Sequence, residues 1–196
     1  QPMTQDAHPA TSLWSFEGRT ALVTGAAGDI GSAAAIRLIE AGAAVAAADH
    51  PSAMDRLEAT VTACRNARAD ALVRPFPFDV ADATVTADAI DAVVSQLAPP
   101  DLVFNNAGVQ GAFAPAHVYP LDDAARVVAV NVVGSINVMT TSTAAMVAAD
   151  VGGSIVNMSS MAGVTGAPNM RAYSTSKAAI IGLTKSTAKD LAPHRI

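Results

Sequence analysis

Two patterns alternate along the chain. Short apolar or β-branched runs stand at TALVT (20–24), AAVAAAD (43–49), ALVRPFPFD (71–79), DLVFNNAG (101–108) and GSIVNMSS (153–160). Stretches of helical spacing fill the gaps at 30–41, 53–68, 82–97 and 121–149, with a last one at 173–192. Strands alternating with helices predict a parallel sheet joined by right-handed crossovers. The runs are apolar at successive positions, as strands covered on both faces require. The expected fold class is therefore α/β, a three-layer α/β/α sandwich. LAPPD at 97–101 reads as a helix stop and turn, and AFAPAHVYP at 112–120 as an irregular loop. No repeat or linker divides residues 16–196, which read as one domain behind a polar, loosely ordered tail at 1–15.

Composition narrows the function. The 196 residues suffice for a sizeable core, and the net charge of −5 argues against a nucleic-acid partner. No run reaches the roughly 18 uninterrupted apolar residues of a membrane span. The first nineteen residues hold no apolar signal region, so a cytoplasmic location is expected. Cys64 is the single cysteine, which excludes an intrachain disulfide. It reads as a small packed side chain in a helix, and no metal site is expected.

The candidate chemistry begins at TGAAGDIG, Thr24 to Gly31, between the first strand and the first helix. Such a turn aims backbone N–H groups and the positive end of a helix at one spot, and glycines let a pyrophosphate approach. Gly25, Gly28 and Gly31 stand three apart, without the literal Gly-x-Gly-x-x-Gly spacing. The second strand ends at Asp49, eighteen residues past Gly31, where a carboxylate meets the hydroxyls of an adenosine ribose. It repels a 2′-phosphate, and neither the turn nor the next position, His50, offers Arg or Lys. The expected cofactor is NAD rather than NADP.

Near the C-terminal end, YSTSK places Tyr173 and Lys177 one helical turn apart. A phenol ordinarily titrates near ~10. An ammonium at roughly 4 Å and an effective dielectric of ~20 favours the phenolate by about 4 kcal/mol before screening. The pair is thus a candidate acid/base. Ser160 stands thirteen residues before Tyr173, NNAG occupies 105–108, Asn131 sits in VVAVNVVGSINV, and FDV occupies 78–80.

This set, in this order, resembles the short-chain dehydrogenase/reductase family of single-domain Rossmann type, from about Gly18 to Ile196. The resemblance implies Tyr173 as catalytic acid/base and Lys177 as its charged neighbour and holder of the nicotinamide ribose. It implies Ser160 as the group steadying the substrate oxygen, and Asn131 as support for a water in a proton relay. Gly25, Gly28, Asp29, Ile30 and Gly31 match the phosphate turn, and Asp79 and Val80 the pair flanking the adenine. Asn105, Asn106, Ala107 and Gly108 match the stretch that steadies the sheet and passes the adenine ribose. Ser159, at the wrong spacing, and Tyr119, in a loop before proline, are disfavoured. His117 and His194 read as surface residues.

Two departures from the family pattern stand out. Asp29 replaces the glycine two residues before the last one of the turn, and is expected to cap the following helix. The chain ends at LAPHRI, where the resembled family continues with further strands and a substrate lid. The sheet is thus expected to lack the last strands, and the active protein to carry roughly 50 to 70 more residues. The implied activity is NAD-dependent hydride transfer between a secondary alcohol and its ketone, with a small-molecule partner. Alternatives are an acyl-thioester ketoreductase or a dinucleotide-binding module without turnover. Apolar residues Met161, Val164, Met170 and Phe113 suggest an apolar or cyclic substrate. A homodimer or homotetramer is expected through the 121–149 and 173–192 helices, which carry the small residues Gly134, Ala144, Ala145, Ala178 and Ala179.

Overall fold

All five predicted strands form in the computed structural model, which describes residues 15–196. The expected loose tail, Ser15 apart, lies outside the described residues. The strands are β1 (Thr20–Thr24), β2 (Ala44–Asp49), β3 (Val73–Pro77), β4 (Leu102–Asn105) and β5 (Ser154–Asn157). They pair in parallel in the order β3-β2-β1-β4-β5. The chain builds outward from β1 to β3, then returns to β1's other side for β4. That reversal opens a crevice beyond the carboxyl ends of β1 and β4, where open α/β sheets bind ligands.

Alternate residues of β1 and β2 feed opposite faces, as the pleat dictates. Val23 and Val45 meet Ile39 of α1 (Asp29–Glu40) with Leu57 and Val61 of α2 (Met54–Ala67). On the other face Leu22 and Val103 pack with Ile90 and Val93 of α3 (Ala83–Gln96) and with Val138 and Met146 further along the chain. Every residue of β1 is buried, as expected for a central strand covered on both faces. The edge strands depart from that expectation. β3 is buried only at Val73 and Phe76, and its Pro75 and Pro77 are tolerated because only β2 pairs with it. At the other edge, Ser154 and Val156 of β5 are exposed.

The predicted 121–149 helix forms as α4 (Leu121–Val128) and α5 (Gly134–Ala148), joined by a π-helical turn at Ala129–Val133. This 28-residue stretch is long and apolar enough to cross a membrane. Its Val138 and Met146 nevertheless belong to the sheet's core, so it is a core helix. Gly134 packs inward, since a Cβ there would lie 2.6 Å from Val80 Cγ2. It therefore does not serve the outer face expected of it, whereas Ala144 and Ala178 are exposed. A short helix not expected from the sequence, α6 (Met161–Thr165), precedes α7 (Arg171–Leu191).

Cys64 is fully buried in α2, and burial pushes its thiol up to about 11. At pH 8 about one thousandth of it is thiolate, so the native protein is expected to resist alkylation. Mass spectrometry after iodoacetamide should show no adduct on the folded chain and one on the unfolded chain. Rapid native labelling would contradict the packing described for α2.

Candidate active site

The site starts where β1 and β4 end side by side. Thr24 closes β1 fully buried, and its hydroxyl oxygen accepts the N–H groups of Asn106 at 3.0 Å and Ala107 at 3.1 Å. Asn106 answers by donating from Nδ2 to the carbonyls of Thr24 at 3.1 Å and Gly25 at 3.3 Å. The turn after β1 is thereby stitched to the segment after β4. Little room remains at this seam. Gly25 has φ +68°, and a Cβ on it would lie 2.7 Å from Asn106 Nδ2. A Cβ on Gly31 would fall on the Gly25 carbonyl. Both positions therefore need glycine, one for conformation and one for space.

Gly28 plays a different part. Its φ is −89°, and it stands as N-cap of α1 without a side-chain cap bond. Asp29 is the first helical residue, so the cap expected of its carboxylate is not made. Its charge favours the helix by proximity to the N-terminal dipole instead. The Gly28 carbonyl accepts the Ser32 N–H at 2.8 Å. The N–H groups of Asp29, Ile30 and Gly31 have no acceptor among the described residues, as expected of a helix start that can receive an anion.

β2 closes the other side of the turn. The Ala48 carbonyl accepts the Ala26 N–H at 2.9 Å, and Asp49 Oδ2 accepts the Ala27 N–H at 2.8 Å. Beyond β3, Asp79 Oδ1 accepts the Ala81 N–H at 2.9 Å, while the Val80 carbonyl is fixed by Asn137 Nδ2, also at 2.9 Å. A cavity of about 1130 Å³ runs along these strand ends. Its walls include Gly25, Gly28, Asp29, Ile30, Asp49, Asp79, Val80, Asn106, Ala107, Gly108, Tyr173 and Lys177. Gly31 and Asn131 are buried beside these walls, and Ser160 is half-buried at the start of α6. Asn105 is buried below the floor, donating to the Ser135 carbonyl and to Asn157 Oδ1, both at 3.0 Å.

The far end of the cavity is built on the π-helical turn. That turn carries Asn131 inward, 1% exposed, where Oδ1 accepts the Val109 N–H at 2.7 Å. Asn131 Nδ2 donates to the Val109 carbonyl and to Ser176 Oγ, each at 2.9 Å. Ser176 Oγ in turn donates to the Tyr173 carbonyl at 2.7 Å, so Asn131 is tied to the start of α7. Lys177 is 5% exposed and donates to the Met158 carbonyl at 2.7 Å. Burial lowers its pKa, because the ammonium has given up hydration that one carbonyl only partly replaces. Its nitrogen lies 5.7 Å from the centre of the Tyr173 ring, on the same helix face as expected. Gly108 fills the seam between them: a Cβ there would lie 3.1 Å from Asn131 Oδ1 and 3.5 Å from Lys177 Nζ.

The two neighbouring serines have different duties. Ser159 donates to the Lys177 carbonyl at 2.7 Å and is tied to α7. Ser160 caps α6, its Oγ accepting the Ala162 N–H at 3.2 Å, which leaves its hydroxyl proton free to donate. Tyr119 is buried and donates to Asp123 Oδ2 at 3.1 Å, a loop fastener outside the cavity. His117 and His194 are exposed. Sequence reasoning missed Arg56, Val109, Arg126 and Met158, which also line the cavity. Arg56 and Arg126 sit on ordinary amphipathic helices where no spacing marks them. Among the described residues no cluster of metal ligands occurs.

The chain has counterparts among known proteins. The profile of the short chain dehydrogenase family matches residues 19–196. The 2-dehydro-3-deoxy-L-rhamnonate dehydrogenase (NAD(+)) of Sphingomonas sp. (strain SKA58) is 36% identical over 177 residues, 90% of this chain and 68% of that protein. The 3-oxoacyl-[acyl-carrier-protein] reductase FabG of Thermotoga maritima is 33% identical, over 92% of this chain and 71% of that one. Among solved structures, an NAD+-bound xylitol dehydrogenase superposes with a TM-score of 0.88 at 45% identity, covering 92% of this chain and 68% of that chain. With its profile matched from β1 to Ile196 and its fold shared at this level of identity, the chain belongs to the short-chain dehydrogenase family.

Proposed function

We propose that the protein is an NAD-dependent oxidoreductase that interconverts a secondary alcohol and its ketone, with Tyr173 as acid/base. The observation that carries this reading is a single cavity reaching from the open start of α1 to the Tyr173–Lys177 pair. The residues fit a dinucleotide. The cradle at Gly25 and Gly31 leaves no room for a Cβ, the donors of Asp29, Ile30 and Gly31 have no acceptor among the described residues, and the Asp49 carboxylate closes β2 beside the turn. Gly25 through Gly31 would hold the pyrophosphate, Asp49 the adenosine ribose, and Asp79, Val80, Asn106, Ala107 and Gly108 the adenine side. When bound, the nicotinamide takes or returns the hydride of the carbinol carbon.

The protein's own residues handle the proton. In the oxidation direction Tyr173 takes it from the substrate hydroxyl as the hydride leaves carbon, so one C–H and one O–H bond break and a carbonyl forms. Lys177 keeps positive charge beside the phenol and holds the nicotinamide ribose. Ser160 donates its free hydroxyl proton to the substrate oxygen, steadying the charge that develops there. Asn131 holds Val109 and the start of α7 in place around Lys177. Phe113, Met161 and Val164 are exposed and favour an apolar substrate face. The exposed Val128, Val133, Ile136 and Val147 along α4 and α5 support pairing of two copies through these helices. The FabG relative favours a second reading, a 3-oxoacyl ketoreductase; Asp49 weighs against the NADP such an enzyme often takes.

Tyr173→Phe is expected to lower turnover between about a hundredfold and ten-thousandfold, with NAD affinity within about twofold. Lys177→Ala should lower both. The measurement is NAD reduction over a panel of secondary alcohols, with NAD binding by calorimetry. A Tyr173→Phe protein that keeps most of its turnover would exclude the proposed chemistry.

Asp29→Gly addresses the carboxylate in the turn. With its charge removed from the pyrophosphate's neighbourhood, NAD should bind up to about fivefold tighter. Stability should fall by about 1 kcal/mol, through a freer backbone rather than a lost cap. Weaker NAD binding in this variant would show that the carboxylate orders the turn.

A further inference from the structure

A small core stands apart from the two that flank the sheet. Tyr119, Val127 and Ala172 are its buried members, and Val109, Ala112 and Ala114 pack against them. It joins the segment after β4 to α4 and to the start of α7, next to Tyr173. One carboxylate gathers the polar bonds around it. Asp123 Oδ2 accepts the Ala112 N–H at 2.6 Å and the Tyr119 hydroxyl at 3.1 Å. Asp123 Oδ1 accepts Nε and Nη2 of Arg126, at 3.2 and 2.6 Å, and Arg126 lines the cavity. The Ala112 N–H, and after it Arg126, hold the Asp123 carboxyl below the usual carboxylate range. The mounting has no slack: Gly111 has φ +76°, and a Cβ on it would lie 2.7 Å from Asp123 Oδ2 and collide with Val127. Further along, the Ala114 N–H donates to the Asn169 carbonyl at 2.9 Å. Arg171 donates to the Ala116 carbonyl at 2.7 Å, with its guanidinium 5.2 Å from the centre of the Tyr119 ring. Between Ala112 and Ala114, both tied down, stands Phe113, 67% exposed.

We propose that Asp123 is a positioning residue: by fastening the segment after β4 it holds the Phe113 ring at the reacting end of the cavity, and so sets how strongly a bulky or cyclic secondary alcohol is preferred over a small one. The proposal rests on reading Tyr173 as the acid/base of an alcohol dehydrogenase. An aromatic side chain on a loose loop loses much of its contact energy to the entropy of ordering. Here the backbone on either side of Phe113 is ordered in advance, through Ala112 to α4 and through Ala114 to the residues just before α7. Those residues lead into Tyr173, so the ring and the phenol share one mounting. A ring or branched group on the carbinol carbon then lies against Phe113 while the hydroxyl meets Tyr173. A small alcohol has no such group and gains nothing from the contact. Without the carboxylate, the Ala112 N–H, the Tyr119 hydroxyl and Arg126 lose their common acceptor, and Phe113 is no longer held in one place.

The test compares kcat and KM for cyclohexanol and 2-propanol, or for the bulkiest and smallest alcohols of the panel that the parent oxidises where it takes neither. The proteins are the parent, Asp123→Ala, Asp123→Asn, Phe113→Ala and Asp123→Ala/Phe113→Ala, with amide hydrogen exchange followed over residues 109–116. The parent should prefer the bulky alcohol in kcat/KM. Asp123→Ala should shrink that preference at least about fivefold through KM for the bulky alcohol, with NAD affinity within about twofold. Asp123→Asn keeps an oxygen for the Ala112 N–H and should lose less. Phe113→Ala should shrink the preference as far, and the double variant no further, since one residue acts through the other. Amides at 111–114 should exchange at least about tenfold faster in Asp123→Ala. A parent without the preference, an Asp123→Ala protein that keeps it, equal losses for both alcohols, or additive losses in the double variant would overturn the proposal. If the parent oxidises no alcohol of the panel, the dehydrogenase reading fails and the exchange arm alone judges the fastening: faster exchange in Asp123→Ala supports it and unchanged exchange overturns it. Should Asp123→Ala prove unfolded by circular dichroism, Asp123→Asn decides, a smaller preference supporting the proposal and one equal to the parent's overturning it.

Discussion

The structure depends on one crowded seam, where the turn after β1 is pressed against the segment after β4. Thr24 lies at its centre, fully buried, with two backbone N–H groups on one hydroxyl. Asn106 closes the seam from the other side. A buried donor left unpaired costs about 1–3 kcal/mol, so these bonds hold the turn in one shape. That shape has a positive φ at Gly25 and no space at Gly31. The start of α1 then faces the crevice with N–H groups that have no acceptor among the described residues. The sheet's order of strands creates the crevice, and the seam decides what faces into it.

Away from the seam, the cavity is organised by where charge is buried. Lys177 is nearly enclosed and held by a single carbonyl, that of Met158. The cost of that burial lowers its pKa, and an anion beside it would offset part of the cost. Asn131 keeps the arrangement rigid without entering the cavity. The π-helical turn that carries it is a local irregularity of the kind found at functional sites. It spends regular helix geometry to bring one amide against Val109 and Ser176.

Much of this was legible in the sequence, for identifiable reasons. Apolar runs separated by helical spacing fix a parallel sheet, and β1 and β2 are buried as such runs require. Gly25 and Asp49 stand out because few residue types satisfy the geometry they occupy. Asp29 departs from its expected role: the residue before it, Gly28, holds the cap position, and the difference of one residue is set by backbone dihedrals that composition does not encode. Small size alone marks Gly134 for helix pairing, whereas just after the π-helical turn it packs inward against Val80. Arg56 and Arg126 were invisible, since an arginine on a helix looks the same whether it faces water or a cavity. The outer side of β5 pairs with nothing among the described residues, in line with the expectation that the sheet lacks its last strands.

The seam is the central claim, and Thr24→Val tests it most directly. Valine keeps the buried volume and removes the hydroxyl oxygen on which Asn106 and Ala107 depend. The decisive measurement is NAD affinity by calorimetry on a variant shown to be folded by circular dichroism. An at least tenfold loss of affinity, about 1.4 kcal/mol, with the native spectrum retained is the predicted result. Affinity within about twofold of the parent would contradict the claim that this hydroxyl shapes the turn for its ligand.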